Sequence, residues 1–243
     1  MSTEIKALVF DVFGTVVDWR SSIILESREI GAAKNISRDW ESFADSWRSK
    51  YGPFMNKVRQ GSLSWTNLDD LHYMALEELL SEFEIQDFDD NDKKNLNTAW
   101  HRLDPWPDAI QGLNKLRESY IIAPLSNGNL ALLTNMAKRA GLPWDCILSA
   151  ELAHAYKPDQ EVYRMAAKLL GLAPGQLLMV AAHPGDLMAS QQAGLQTAFI
   201  PRPFEHGQNQ NSNTDAETIS HFDIVAKDIV DLAYQLSYSR DSR

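Results

Sequence analysis

The second half of the chain alternates short apolar segments with segments of helical periodicity, and this alternation limits the possible folds more than any other feature. We predict buried strands at 121–125, 145–149, 177–181, 197–200 and 222–225, with helices at 107–120, 130–140, 159–170, 185–193 and 228–236. Glycines at 141, 171 and 194 follow three of these helices, where a left-handed residue commonly ends a helix. Strands joined by single helices pair in parallel and are covered on both faces. The sequence therefore predicts an α/β fold with a doubly wound, Rossmann-like parallel sheet.

The first apolar segment, residues 7–10, leads directly into Asp11, and Gly14 and Thr15 follow in the turn. A run this short, bounded by a turn signal, is typical of a fully buried strand. Asp11 then lies at the carboxyl end of the strand, where open α/β sheets bind their ligands. From this segment alone, Asp11 is either a solvated turn residue or a reactive group.

Between this segment and the α/β alternation, strand patterns disappear and helical periodicity dominates. Phe43, Trp47 and Tyr51 fall on one helical face, for example, while Gly52-Pro53 and Gly61-Ser62 interrupt the region. We expect an all-helical insertion at residues 18–100, with residues 1–17 and 101–243 forming one discontinuous core domain. The polar segment 206–218 is predicted to be a surface loop.

Charge and cysteine content exclude several classes of partner. The net charge of −10 disfavours nucleic acid and anionic membranes, and no apolar run is long enough to span a bilayer. The single cysteine, Cys146, permits no intramolecular disulfide, and its apolar surroundings indicate a buried small residue. With no signal peptide recognised, we expect a cytoplasmic protein.

Polar residues follow four of the predicted strands, at the point where each strand ends. They are Asp11 after the first strand, Ser126-Asn127 after the second, Lys157 after the third, and Asp186 with His183 after the fourth. The carboxyl ends of parallel strands open on the same edge of a sheet, so these groups are expected to converge in one crevice.

This order of residues resembles the haloacid dehalogenase superfamily across almost the whole chain. Its four motifs are matched by Asp11-Val12-Phe13-Gly14-Thr15, Ser126-Asn127, Lys157 and Asp186, and the helical insertion resembles its cap domain. The resemblance implies that Asp11 is a nucleophile that forms a covalent intermediate. A buried carboxylate can act in this way when a cation such as Lys157 keeps it ionised.

The residue two positions after Asp11 favours one branch of the superfamily. Phosphatases of this group carry a second aspartate there as acid and base, whereas this chain has Phe13, which cannot transfer a proton. A halide leaving group needs no general acid, and a carbon–halogen bond needs no metal to neutralise phosphoryl oxygens. Phe13 therefore favours dehalogenase chemistry without a metal or organic cofactor.

Further residues resemble the type II L-2-haloacid dehalogenases. Arg48, which follows Trp47, resembles the arginine that receives the departing halide, and Tyr163 lies six residues after Lys157 as in that group. The resemblance implies hydrogen bonds to the substrate carboxylate or to Asp11 from a larger set of groups. This set comprises the side chains of Thr15, Ser126, Asn127 and Tyr163, and the backbone N–H groups of Val12 and Phe13.

The segment before Asp186 departs from that group. Ala181, His183 and Gly185 stand where type II enzymes commonly have serine, asparagine and tryptophan. His183 either acts as general base for the hydrolytic water or fills the hydrogen-bonding place of the asparagine, and Asp186 is the alternative base. A histidine base usually needs an acid that orients it, and Asp18 and Glu26 are the candidates. Loss of the tryptophan is expected to widen one wall of the pocket.

The expected reaction is hydrolysis of an (S)-2-haloacid to the (R)-2-hydroxyacid and halide through an ester on Asp11. The expected partners are a small 2-haloacid and halide, with a homodimer possible. Two alternatives remain at this point. One is a Mg²⁺-dependent phosphatase or phosphonate hydrolase that uses the same Asp11, and the other is a non-catalytic binding protein with the same fold.

Overall fold

The computed structural model describes residues 4–207 and 216–241. In chain order, the strands are β1 Ala7–Phe10, β2 Val17–Asp18, β3 Asp104–Pro105, β4 Ile121–Ser126, β5 Leu148–Ser149, β6 Leu177–Ala181, β7 Gln196–Phe199 and β8 Ile224–Val225. The helices are α1 Trp19–Ala33, α2 Trp40–Arg59, α3 Leu68–Glu82, α4 Asp90–Asn97, α5 Ala109–Arg117, α6 Leu130–Ala140, α7 Gln160–Leu170, α8 Pro184–Gln192, α9 Ala216–Ile219 and α10 Ile229–Asp241. No helix in these two ranges is both long enough and apolar enough to cross a bilayer.

Six strands form one parallel sheet in the order β5-β4-β1-β6-β7-β8. Every residue of β1 and β6 is buried, because helices cover both faces of the sheet. The chain builds β4 and β5 on one side of β1 and then crosses to β6 on the other. The change of direction lies between β1 and β6, which is where doubly wound sheets bind ligands. The predicted sheet class is confirmed.

Four helices, α1 to α4, lie between β2 and β3, and we call this segment the helical insertion. The two short strands pair antiparallel, with Val17 opposite Pro105, and bring the ends of the insertion together. Each helix begins at an acidic or amide residue whose side chain accepts a hydrogen bond from a backbone N–H of the first turn. These N-caps are Asp18, Asp39, Asn67 and Asp89.

Helix α2 continues through Gly52-Pro53, where the sequence suggested an interruption. A proline removes one helical hydrogen bond, but the apolar residues on either side of it pack into the core. Trp47 is 1% exposed and Phe54 3% exposed, so tertiary packing maintains the helix across the proline. This continuity places Arg48 and the end of α2 on the same element.

The remaining differences from the predicted elements are confined to segment ends. The strand expected at 145–149 is reduced to β5, because the Asp145 carboxylate accepts the Ile122 N–H in place of a regular ladder contact. The strand expected at 222–225 is reduced to β8. Cys146, which was expected to be buried, is only partly buried. Of the predicted loop at 206–218, residues 208–215 lie outside the described residues, and residues 216–218 belong to α9, so that part of the prediction is wrong.

Candidate active site

Asp11 lies directly after β1, and Lys157 lies beside it. The Lys157 Nζ is 2.9 Å from Asp11 Oδ1 and 2.6 Å from Asp186 Oδ2, so one ammonium bridges two carboxylates. None of the three side chains is more than 10% exposed. The predicted convergence of these strand ends is therefore present in the structure.

The two carboxylates that share Lys157 differ in their ionisation. Burial tends to raise the pKa of Asp11, but the Lys157 charge and the contact with His183 outweigh it and hold the pKa well below its usual range. Burial and the nearby charge of Asp11 raise the pKa of Asp186, although Lys157 opposes them. Asp11 accordingly has the lower pKa of the two carboxylates and is the one that stays ionised.

Asp11 also accepts a hydrogen bond from Thr15, whose Oγ1 lies 2.8 Å from Oδ2. The Ala182 N–H donates to the same Thr15 oxygen at 2.9 Å, which fixes the hydroxyl between β1 and the end of β6. Of the four side chains expected to hydrogen-bond Asp11 or the substrate, Thr15 is the one with a direct bond to Asp11.

The other three contact different parts of the site. Tyr163 donates its hydroxyl proton to Asp186 Oδ1 at 2.5 Å. Asn127 holds the backbone of Lys157, with its Oδ1 accepting the Lys157 N–H at 2.7 Å. The Ser126 hydroxyl, fully buried, accepts the Gly128 N–H. Tyr163 thus holds Asp186 and Asn127 holds Lys157, and neither side chain has a hydrogen bond to Asp11 among those of the described residues.

His183 lies on the other side of Asp11. Its Nδ1 is 3.0 Å from Asp11 Oδ2, and its Nε2 is 2.9 Å from Glu205 Oε2. Burial disfavours the charged ring, but hydrogen bonds to Asp11 and Glu205 outweigh burial and raise the pKa of His183 to about 10. The ring is therefore an imidazolium between two carboxylates when no substrate is bound.

Glu205 is the acid that orients His183, so the two candidates proposed from the sequence are wrong. Asp18 is occupied as the N-cap of α1, and Glu26 pairs with Arg102. Both candidates lie close to Asp11 in sequence. Glu205 follows β7, and applying the strand-end argument to that strand as well would have indicated it.

The turn after Asp11 leaves the space that Glu205 needs. Gly14 has a φ of +84°, and a Cβ at this position would approach Glu205 Oε1 to 2.1 Å. The Trp19 Nε1 donates to the same oxygen at 3.0 Å, and the Glu205 side chain is only 5% exposed. Gly14 is consequently required both for the backbone conformation and for this contact.

Arg48 projects from α2 towards the aromatic residues beside Asp11. Its guanidinium carbon lies 4.2 Å from the ring centre of Tyr51, 5.5 Å from that of Trp19 and 5.9 Å from that of Phe13. Its Nη1 is buried and has no hydrogen-bond acceptor among the described residues. A buried donor of this kind, next to apolar surface, can receive an anion.

Phe13 forms part of the same apolar wall. It is 2% exposed, and its ring packs edge-on against Trp100 with centroids 5.9 Å apart. Gly185, in contrast, is exposed at the start of α8, and a Cβ there would have no neighbour within 4 Å. Gly185 therefore faces solvent, and the expectation that it widens a wall of the pocket is not supported.

The arrangement places a buried carboxylate between two cations, bordered by an apolar wall and by the Arg48 Nη1, which has no acceptor among the described residues. No group of three or more metal-binding side chains occurs within residues 4–207 and 216–241. Such a site suits attack by a carboxylate on an electrophilic centre of a small anionic substrate.

Comparisons with known proteins agree with this class of site. Residues 5–194 match the family of haloacid dehalogenase-like hydrolases. The chain is 31% identical to (S)-2-haloacid dehalogenase 4A of Burkholderia cepacia, over 83% of this chain and 85% of that one. The chain belongs to the haloacid dehalogenase-like hydrolase family.

Solved structures are similar over nearly the whole chain. A defluorinating L-2-haloacid dehalogenase is 44% identical, with a TM-score of 0.91 and coverage of 96% of this chain and 95% of that one. Another L-2-haloacid dehalogenase is 43% identical, with a TM-score of 0.92 and coverage of 96% and 99%.

Proposed function

We propose that the protein is a hydrolase acting on carbon–halide bonds, an (S)-2-haloacid dehalogenase that works through an ester on Asp11. The observation that carries this proposal is an ionised Asp11 between Lys157 and His183, with Phe13 where a phosphatase would have an acid. The relatives named as (S)-2-haloacid and L-2-haloacid dehalogenases support the same reaction and do not favour the phosphatase alternative.

In the first step, an Asp11 oxygen attacks the α-carbon from the side opposite the halogen. The carbon–halogen bond breaks, halide leaves towards the free N–H of Arg48, and an ester forms on Asp11. Backside attack inverts the configuration at carbon two. Thr15, Ser126, Tyr163 and the backbone N–H groups of Val12 and Phe13 are proposed to bind the substrate carboxylate, and exclusion of water favours this step.

Esterification changes the state of His183. While Asp11 is ionised, two carboxylates support the imidazolium, so the ring cannot accept a proton. The ester is neutral, which leaves Glu205 as the remaining charged partner and lowers the pKa of His183. The ring can then release a proton to solvent, since its side chain is 35% exposed in a cleft that His206 also lines.

Neutral His183 then accepts a proton from water, and the resulting hydroxide attacks the Asp11 carbonyl carbon. The tetrahedral intermediate collapses and expels the alkoxide, which takes the proton of the new carboxyl group. Asp11 is again a carboxylate and His183 an imidazolium. The proton that His183 released to solvent is the one proton that hydrolysis of a carbon–halogen bond must produce. Asp186, paired with Lys157 and Tyr163, remains the alternative base.

Several expectations from the sequence belong to this proposal. They are independence from metals and organic cofactors, a cytoplasmic location, a possible homodimer, and a core of residues 1–17 and 101–243 with a cap at residues 18–100. The helical insertion supports the last of these, because Arg48 reaches the Asp11 side of the sheet from α2.

The direct test is halide release from chloro-, bromo- and fluoroacetate and from both enantiomers of 2-chloropropionate, with and without EDTA. We expect release from (S)-2-chloropropionate that EDTA does not inhibit. Replacing Asp11 by Asn should abolish release, a loss of at least about 10³-fold, because the amide is not a nucleophile.

Phosphate esters with and without Mg²⁺ form the second arm of this assay. Mg²⁺-dependent phosphate release without halide release would contradict the proposal, and so would normal turnover by Asp11→Asn. Circular dichroism shows whether the variant remains folded.

A further inference from the structure

A second arginine of the helical insertion, Arg59, contacts the loop that carries Lys157. It is the last residue of α2, and its Nη2 donates to the Lys157 carbonyl oxygen at 2.6 Å and to that of Tyr156 at 3.0 Å. Its Nε lies 3.0 Å and 3.1 Å from the two carboxylate oxygens of Asp159. One guanidinium therefore binds three groups of a single tight loop.

The backbone of Lys157 is held from two sides. From the sheet, Asn127 accepts the Lys157 N–H at 2.7 Å and donates to the Lys157 carbonyl at 3.3 Å. From the helical insertion, Arg59 donates to the same carbonyl. The Lys157 ammonium has short contacts to Asp11 and Asp186 and is only 6% exposed, so a shift of its backbone moves the charge away from them.

Helix α2 presents Arg59 on the same face as its other site residues. Arg48, Met55 and Arg59 are separated by seven and four residues, a spacing that places them on one side of a helix. The Met55 sulfur accepts a hydrogen bond from Asn127 Nδ2 at 3.4 Å. Helix α2 thus carries Arg48 near Phe13 and Arg59 on the Lys157 backbone. It also contacts Asn127, which holds Lys157 from the sheet.

Two neighbouring contacts join the same surfaces. The Tyr156 hydroxyl donates to the Thr66 carbonyl at 2.6 Å, and Trp65 packs on Tyr156 and on His154 with ring centroids 4.9 Å and 5.4 Å apart. Both contacts link the helical insertion to the segment just before Lys157. Arg59 differs from them because it binds Lys157 itself.

We propose that Arg59 is a positioning residue through which the helical insertion places the Lys157 ammonium on Asp11. The docked α2 then holds both Arg48 at the halide side and Lys157 at the nucleophile. The inference rests on the proposed dehalogenation for its readout. Arg59 touches neither substrate nor reacting atoms, and it acts through the Lys157 backbone.

The test is the rate of halide release in the first turnover, measured with excess enzyme and (S)-2-chloropropionate. Arg59→Ala should lower this rate about 10- to 100-fold. Small displacements in an active site are costly, and here the Lys157 ammonium would shift away from Asp11. KM should change less than kcat, since Arg48 is intact. Arg59→Lys should recover part of the rate, because a lysine ammonium can donate to one of the two carbonyls.

Arg38→Ala is the matched control. Arg38 also donates to backbone carbonyls, those of Ser37, Phe83 and Glu84, but all three lie inside the helical insertion. We expect its first-turnover rate to equal that of the wild type. Thermal unfolding of all variants separates loss of folded protein from loss of rate.

A wild-type rate in Arg59→Ala overturns this inference, and so does an equal loss in Arg59→Ala and Arg38→Ala. A failure of Arg59→Lys to recover any rate while remaining folded also overturns it. Absence of halide release from the wild-type protein contradicts the proposed function instead, so the two failures are distinguishable.

Discussion

Asp11 has a cation on each side, and the two sides are built differently. On the lysine side, Lys157 is shared with a second carboxylate, Asp186, deep between β1 and β6. On the histidine side, His183 is shared with Glu205 in a ring that is 35% exposed. Both cations stabilise ionised Asp11, but they differ in what they do once Asp11 is esterified.

The difference follows from the chemistry of the two groups. Burial opposes the charge on Lys157, but the carboxylates raise its pKa above its ordinary value, so it keeps its proton throughout. An imidazole has an ordinary pKa near neutrality, so its charge depends on how many carboxylates face it. The lysine side is therefore a fixed charge, whereas the histidine side responds to the state of Asp11.

The largest expected effect comes from removing the fixed charge. Lys157→Ala should lower first-turnover halide release by at least about 10³-fold, because Asp11 loses the charge that keeps it ionised. It should also lower the free energy of unfolding by about 3–5 kcal/mol, since a buried ion pair is broken. Rapid-mixing halide assays and urea unfolding measure the two losses.

Lys115→Ala is the control for this change, because Lys115 is exposed and forms a surface ion pair with Glu118. It should alter neither quantity measurably. Unchanged halide release in Lys157→Ala would show that the lysine is not the group that maintains the nucleophile.

A smaller effect is expected from removing the responsive group. His183→Ala should leave the first halide release within about fivefold of the wild type but slow steady-state turnover about 10²- to 10⁴-fold, the usual contribution of a general base. Intact-protein mass spectrometry should show the ester accumulated on Asp11. His221→Ala, an exposed histidine, serves as control. Full steady-state turnover without His183 would instead assign the base to Asp186.

The smallest effect is expected from neutralising the acid that orients His183. Glu205→Gln keeps a hydrogen-bond acceptor for the ring but removes its charge, and we expect hydrolysis of the ester to slow about 10- to 100-fold. The ratio of the steady-state rate to the rate of halide release in the first turnover measures the slowing of ester hydrolysis. Slower halide release in the first turnover with unchanged ester hydrolysis would contradict the assignment of His183 and Glu205 to the second step.

The stability difference between the wild type and the same variant should depend on pH in a definite direction. The pKa of His183 is raised from 6.5 to about 10 in the folded protein, so its contribution to stability is complete below pH 6.5 and is lost as pH rises towards 10. The excess stability of wild type over Glu205→Gln should therefore be largest near pH 6 and shrink towards pH 10. Urea unfolding across this range checks the slope, and an excess that grows with pH would contradict it.

The lysine side could be predicted from the sequence and the histidine side only in part. Asp11 follows β1, Lys157 lies in the loop between β5 and α7, and Asp186 lies in the first turn of α8 after β6. All three therefore lie at the carboxyl edge of the parallel sheet, which the topology predicts. Glu205 is remote from His183 in sequence and reaches it only because Gly14 has no Cβ and Trp19 donates to it. The strand-end argument places Glu205 at this edge of the sheet, but its contact with His183 depends on packing that no local pattern encodes.

Arg59 illustrates the same limit in the helical insertion. Its helical face could be inferred from the spacing to Arg48, but the loop it meets depends on how α2 docks on the sheet. The continuity of α2 through Pro53 could not be predicted from the sequence either, because tertiary packing rather than local helix propensity maintains it. The sequence indicated that Tyr163 and Asn127 lie near Asp11, but their bonds to Asp186 and Lys157 could be identified only from the geometry.

The central claim is that the hydroxyl oxygen of the product comes from Asp11 and that water replaces it. Single turnover of (S)-2-chloropropionate by excess enzyme in H₂¹⁸O tests this directly. We expect a product without the heavy isotope and one heavy oxygen in the peptide that contains Asp11. A fully labelled product with unlabelled Asp11 would show direct attack by water and contradict the ester intermediate.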